Sequence, residues 1–246
     1  MDGATLVAHC GARKVSYAEL AALPVPVPRG RWHRPLAHVE VVDLLKEFVN
    51  VSSMVKREEY AVQTNGKKLF GVFDMEGNVF GEGRGYSVGF RASQDESFAL
   101  RVVAGTRVFV CDNLALSGSD VVLNRKQTIG LSLRETLRYS VNKLFEQYSS
   151  MDRAIARMQQ ADLLDTAAKA LVYDAFVKED LPLRLFPHVN EWYFDPKHEH
   201  ADATDCAPRS VWGLHNAFTR AIKVIESPVR QFEVTQGVGR YLGLNA

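Results

Sequence analysis

The chain has 246 residues, 46% hydrophobic and 24% charged, and a formal net charge of +1. This composition excludes a disordered chain, and no apolar run approaches the roughly 18 residues that a membrane-spanning helix needs. The length suits one hydrophobic core carrying a helical appendage better than two independent domains.

The first twenty residues carry Asp2, Arg13, Lys14 and Glu19 and lack the apolar stretch of a secretory leader. Cys10, Cys111 and Cys206 are far apart and form no C-x-x-C pair, which reads as reduced thiols in a cytoplasmic protein. Residues 29–143 hold 17 basic and 13 acidic side chains, a local charge of +4, whereas 144–246 hold 11 and 14, or −3. That asymmetry fits either an ordinary mixed surface or a modest preference for a polyanion.

Along the chain, Thr5–Cys10 has strand-like composition, and Ser16 with Glu19 three residues later predicts a short capped helix over Ser16–Leu23. Pro24, Pro26 and Pro28 then alternate with valines, which neither a helix nor a central strand accepts, so this is an extended connector. Leu36, Val39, Leu44, Leu45, Phe48 and Val49 predict an amphipathic helix over about Leu36–Asn50. After it the period changes to two. Tyr60, Val62 and Thr64 run into Asn65-Gly66, a type I′ hairpin signal, and Lys67–Asp74 is the returning strand. Further strands are expected over Tyr86–Ala92, Phe98–Val103 and Arg107–Cys111, the last two joined by a hairpin at Ala104-Gly105-Thr106.

Beyond Thr128 the pattern is helical. Ser132-x-x-Glu135 reads as a capping box, and Leu133, Leu137, Val141, Leu144, Tyr148, Met151, Ile155 and Met158 form one stripe. Second and third helices are expected over Asp162–Val177, with Leu164 inward, and over Arg209–Glu226, stopped by Ser227-Pro228. The reading is an α+β fold: an antiparallel meander of about five strands packed by a long helix and followed by a helical C-terminal part. Its divisions are 1–35, an extension and Pro-rich connector; 36–130, helix plus sheet; and 131–246, helices packing on that sheet around one core.

Several constellations could carry chemistry. His198 and His200 lie two apart in a polar stretch with Asp195, Glu199, Asp202, Asp205 and Cys206, so a shared metal ion is possible, but the spacing is not that of a helical zinc site and a solvated loop fits as well. Cys111-Asp112-Asn113 follows a very apolar run, where a thiol with His188 or His215 as base could act, or where Cys111 is simply buried. His215 shares a stripe with Val211, Phe218, Ile222 and Ile225, the usual setting of a hydrogen-bonded core histidine. Gly81-Glu82-Gly83-Arg84-Gly85 lacks the Lys-Ser/Thr of a phosphate loop and precedes a strand, and no G-x-S-x-G elbow occurs. Arg29, Arg31, Trp32 and Arg34, extended by Arg91, Arg125, Lys126, Arg134 and Arg138, combine phosphate-binding cations with Trp32 or Tyr86 for stacking, a chemistry suited to single-stranded nucleic acid. The competing arrangement pairs these arginines with Glu40, Asp95, Asp120 or Glu135.

Gly89-Phe90-Arg91-Ala92-Ser93, the block Val108-Phe109-Val110-Cys111-Asp112-Asn113-Leu114 with Ser117-Gly118, and the block Trp212…Asn216-Ala217…Thr219 together resemble phage- and plasmid-associated proteins grouped as a domain of unknown function. The resemblance covers about Val55–Ile225. Many members carry Asn-Gly after the cysteine and a histidine after the basic pair, where this chain has Asp112-Asn113 and Gln127. The resemblance implies a setting in mobile elements and no defined reaction, cofactor or metal. The element order is also similar to the core of single-strand annealing proteins. The function expected is an accessory protein binding single-stranded DNA on the sheet, with homo-oligomerisation. The alternatives are a module recognising a host protein, or an enzyme using Cys111, Asp112 and a histidine or a metal at His198 and His200.

Overall fold

The computed structural model describes residues 12–51, 55–75, 84–108, 113–195 and 209–244. Six strands form one antiparallel sheet in sequence order: β1 (Arg13–Val15), β2 (Val55–Gln63), β3 (Lys68–Met75), β4 (Arg84–Ser93), β5 (Leu100–Val108) and β6 (Asn113–Arg125). The helices are α1 (Tyr17–Ala21), α2 (His38–Asn50), α3 (Leu133–Gln160), α4 (Asp165–Lys178), α5 (Phe186–Phe194), α6 (Val211–Ile222) and α7 (Pro228–Tyr241), with a 3₁₀ turn at Leu183–Leu185. The architecture is the expected α+β meander with the long helix packed on it. No helix among the described residues is long and apolar enough to cross a membrane.

Alternation sets the two faces of the sheet. Tyr60, Val62, Leu69, Phe73, Val88, Phe90, Leu100 and Val102 point to one face and join the main core with the stripe of α3, all eight of whose expected members are buried. Covering that face takes these side chains out of water, at about 1.5–3 kcal/mol for each one fully buried. The opposite face carries Ala61, Phe70, Val72 and Val103, buried with Phe232 of α7, so both faces are covered at these positions. A ligand on this sheet would therefore have to meet it away from these covered positions. Antiparallel sheets with water on one side show polar residues there, and here those positions are apolar.

Local signals explain most of the ends. Asn65 and Gly66 have φ of 54° and 84° and are closed by Lys67 N–H donating to Thr64 O at 3.1 Å, the type I′ geometry that Asn-Gly favours. Ser16 accepts from Glu19 N–H while the Glu19 carboxylate accepts from Ser16 N–H, a complete capping box. Ser132 precedes α3 but makes no side-chain cap bond. The strand-like run at Thr5–Cys10 lies outside the described residues; β1, which adds to β2 with Val15 opposite Tyr60, and β6 had not been expected, because the runs read as the fourth and fifth strands meet in the single strand β5.

The hairpin expected at Ala104-Gly105-Thr106 does not exist. Those residues continue β5, with Ala104 opposite Val88 and Gly105 opposite Ser87 on one side and Leu116 on the other. Gly105 keeps a negative φ, so the turn conformation for which glycine is selected is not used. The irregularity falls on β6, whose register jumps from Val121 to Leu116 while β5 steps only from Val103 to Gly105. In the C-terminal part, Leu164 is exposed just before α4, contrary to its inward assignment. The third helix ends at Ile222, and Ser227-Pro228 starts a further helix, with Ser227 as N-cap and Pro228 in the first turn. Helices α5 and α7 had not been expected.

Gly71 is required by packing. It lies between Tyr60 of β2 and Phe90 of β4 in one cross-strand row, and a Cβ built on it would stand 2.2 Å from Phe90 Cζ. Its bare face admits the ring that packs on Phe73 at 4.9 Å. Gly71→Ala is expected to lower stability by about 1–3 kcal/mol through overpacking. Urea unfolding measures this, and combining it with Phe90→Leu should cost less than the sum of the single changes. An unchanged midpoint in Gly71→Ala would contradict the packing account.

Candidate nucleic-acid interface

The proline-rich connector delivers residues 29–36 to one end of the sheet, where they lie along the segment that leaves β6. His33 bridges Thr128 in antiparallel fashion, Arg34 N–H donates to Gln127 O at 3.2 Å, and Ile129 N–H donates to Trp32 O at 3.1 Å. Leu36 is buried, and both its peptide groups are served by glutamine side chains: its N–H donates to Gln127 Oε1 at 3.0 Å and its carbonyl accepts from Gln94 Nε2 at 2.8 Å. Buried backbone groups outside a ladder need such partners. The Gln94 backbone N–H in turn donates to Lys67 O at 2.9 Å, tying the strap to the β2–β3 and β4–β5 turns.

At the outer bend of the strap, His33 N–H closes a tight turn on Gly30 O at 3.1 Å, which leaves Arg31 and Trp32 at its two central positions. Behind the turn the buried His33 ring accepts from Arg29 N–H at 3.0 Å. Trp32 is 60% exposed, unusual for so large an apolar side chain, and the Arg31 guanidinium lies 4.6 Å from its ring centroid. Arg29, Arg34, Arg125 and Lys126 are exposed in the same neighbourhood. Among the described residues none of these five cations forms an ion pair with a carboxylate. Arg29 reaches the β4–β5 turn, donating to the Asp95 carbonyl at 2.8 Å. Burial alone would raise the Asp95 carboxyl, but hydrogen bonds from Ser93 and Ser97 outweigh it and hold the pKa at about 2.

Other expected members of the track lie elsewhere. Arg91 is only 4% exposed, stacked between Phe98 and Phe232 on the face covered by α7, so it is no surface contact. Tyr86 packs on Tyr148 of α3 with centroids 4.0 Å apart, and its hydroxyl donates to Asp152 at 3.0 Å. Of the two aromatic candidates Trp32 is the exposed one, whereas Tyr86 is half-buried against α3. Arg134 is held by both carboxylate oxygens of Glu47 at 2.9 Å and lies over Phe48, and Arg138 lines the adjoining cleft between α2 and α3. The clamp role of Gln94 and Gln127 was not legible in the sequence, because nothing local distinguishes a buried glutamine from a surface one.

Cys111, Asp112, His198 and His200 lie outside the described residues, while Asn113 opens β6 opposite Val108. Among the described residues no group of three or more His, Cys, Asp or Glu side chains could hold a metal ion. Trp212, Asn216 and Thr219 are all buried on α6, and Thr219 Oγ1 donates to Asn216 O at 3.0 Å. His215 is fully buried, its ring parallel to that of Trp212 within 6° at 5.0 Å, but neither ring nitrogen is hydrogen-bonded, which corrects the expectation of a bonded core histidine. Burial pushes its pKa down to about 3.

Because the folded pKa of His215 lies below the unfolded value of about 6.5, the unfolded chain takes up a proton that the folded chain refuses. Stability is full above about pH 6.5 and falls as the pH drops, by up to about 1.4 kcal/mol per unit. His38 acts in the same direction, its pKa lowered by burial despite its 2.7 Å bond to Gly66 O. Denaturant unfolding at pH 7.5 and 5.0 should show a loss of about 2 kcal/mol from His215, and His215→Leu should flatten the dependence. Equal slopes in the two proteins would overturn this.

No protein-family model matches the chain, nor does any curated protein sequence or solved structure.

Proposed function

We propose that this protein binds single-stranded nucleic acid at the strap end of its sheet, as an accessory protein of a phage or plasmid. The mobile-element setting rests on the sequence resemblance alone. The observation that carries the binding proposal is the juxtaposition of Arg29, Arg31, Arg34, Arg125 and Lys126 around an exposed Trp32, with its backbone fixed by the Gln94 and Gln127 clamp.

Cations without carboxylate partners are ready to take phosphates and release counterions, and an indole held at a turn offers a stacking face that any base can use. A preformed turn loses little conformational freedom on binding. The Arg31 guanidinium against the indole adds positive charge beside that face. Trp32 projects from a bend, which suits an unstacked base better than a paired one.

Fluorescence anisotropy with a labelled single strand and its duplex, at several salt concentrations, tests the reading. The expected result is preference for the single strand, with log K falling against log salt at a slope of about −3.5 if all five cations meet phosphates. The combined change Arg31→Ala, Trp32→Ala and Arg34→Ala should weaken binding at least about tenfold and reduce the slope by about 1.4. Absence of binding to either form at low salt would overturn the proposal, and a specific protein captured through the same residues would replace it.

A further inference from the structure

We propose that the cleft between α7 and β5 is a second, separate binding site, one that takes a phosphate group. The cleft has a volume of about 370 Å³ and is lined by Arg101, Arg230 and Arg240 together with Glu179, Glu233 and Gln236. Arg230, Glu233, Gly237 and Arg240 follow one another at helical spacing, so one face of α7 supplies most of the wall, and Arg101 enters from the sheet.

The carboxylates at this site are already engaged. Glu179 accepts from Arg240 Nη2 at 2.7 Å, and Asp180, beside it, accepts from Arg230 through both its carboxylate, at 3.0 Å, and its carbonyl. Glu233 lies 3.7 Å from Arg91. Among the described residues Arg101 has no carboxylate partner: its Nη1 donates to the neutral amide oxygen of Gln236 at 3.1 Å, and its buried Nε makes no hydrogen bond. Directly across the β4–β5 ladder stands Arg91, buried, with Nε and Nη1 also lacking acceptors.

Two arginines are therefore opposed on neighbouring strands, Arg101 in the lining of the cleft and Arg91 buried beside it, with the half-exposed Glu233 carboxylate 3.7 Å from Arg91. Burial, and then the charge of Arg101, lower the Arg91 pKa to about 10, so Arg91 stays charged at neutral pH. Adjacent cations, one buried and one half-buried, with unused donors are costly unless an anion completes them. Phosphate fits the need because its oxygens accept several charge-assisted hydrogen bonds at once and arginine presents its donors as a planar fork. The phenyl rings of Phe98 and Phe232 hold Arg91 in place from both sides.

The phosphate could belong to a small molecule or to a nucleic-acid strand. The second source is geometrically open, since Arg101 pairs with Asn124, the residue before Arg125 of the strap end. Phosphorus NMR and calorimetry with inorganic pyrophosphate test the site without any oligonucleotide. The expected outcome is saturable binding, with broadening of the pyrophosphate signal, that exceeds any response to sodium chloride at equal ionic strength. Arg101→Gln should weaken it by about tenfold. Should that variant fail to fold, the Arg230→Ala and Arg240→Ala variants provide the same readout.

The combined Arg31, Trp32 and Arg34 change should leave pyrophosphate binding intact, which separates failure of this site from failure of the strap. Competition by a single-stranded oligonucleotide would assign the phosphate to a strand, and its absence would assign it to a small molecule. No pyrophosphate binding above the salt control, or equal binding by the cleft variants, would overturn the proposal.

Discussion

The arrangement of the charged end of this protein depends on how one buried peptide unit is satisfied. Leu36 has its side chain in the core, but it belongs to no strand, so its N–H and carbonyl would be stranded without partners. Gln127 supplies an acceptor and Gln94 a donor. An unmade bond at such a buried group costs about 1–3 kcal/mol, more than the net gain of an ordinary surface bond, and this asymmetry makes the clamp specific. It joins the β4–β5 turn, the exit of β6 and the connector into one unit, which fixes the bend that carries Arg31 and Trp32.

The sheet beneath the clamp is buried differently on its two faces. The face toward α2 and α3 is built from aromatic and aliphatic side chains, with Gly71 making room for Phe90 between Tyr60 and Phe73. The opposite face mixes apolar positions with charge: Glu59 is buried against Arg57 at 2.6 Å, Ser87 donates to Asp74 at 2.7 Å, and Arg91 lies between rings. Buried charges of this sort add little net stability, because desolvation offsets much of the attraction. They fix which partners can pack there, and α7 meets the requirement with Phe232 and Glu233.

Two features with the look of catalytic machinery have plainer settings. His215 and Trp212 stack inside the core, where an imidazole with a pKa near 3 is neutral and shut off from solvent. Gln127, at the place where the sequence resemblance raised the expectation of a histidine, is the acceptor that holds Leu36. A side chain with an amide at that place serves the backbone, and the chemistry available at this end comes from arginines and one indole.

The sequence by itself determined the elements whose signals are local. The stripe from Leu133 to Met158, the Asn65-Gly66 turn and the Ser16 capping box follow from periodicity and backbone preference within a few residues, and the α+β order followed from them. From residue type alone it grouped Arg29, Arg31, Trp32, Arg34, Arg91, Arg125 and Lys126, extended by Arg134 and Arg138, as one set. Tertiary structure decided the rest. Gly105 reads as a turn in isolation yet continues a strand because ladders on both sides satisfy its backbone, and Arg91 reads as a surface cation yet is enclosed when α7 closes over β4. The nearness of the connector to the end of β6 depends on contacts some ninety residues apart in sequence, which no local pattern encodes. Burial and long-range hydrogen bonding belong to the packed molecule, so only the fold could separate the exposed cations from the enclosed one.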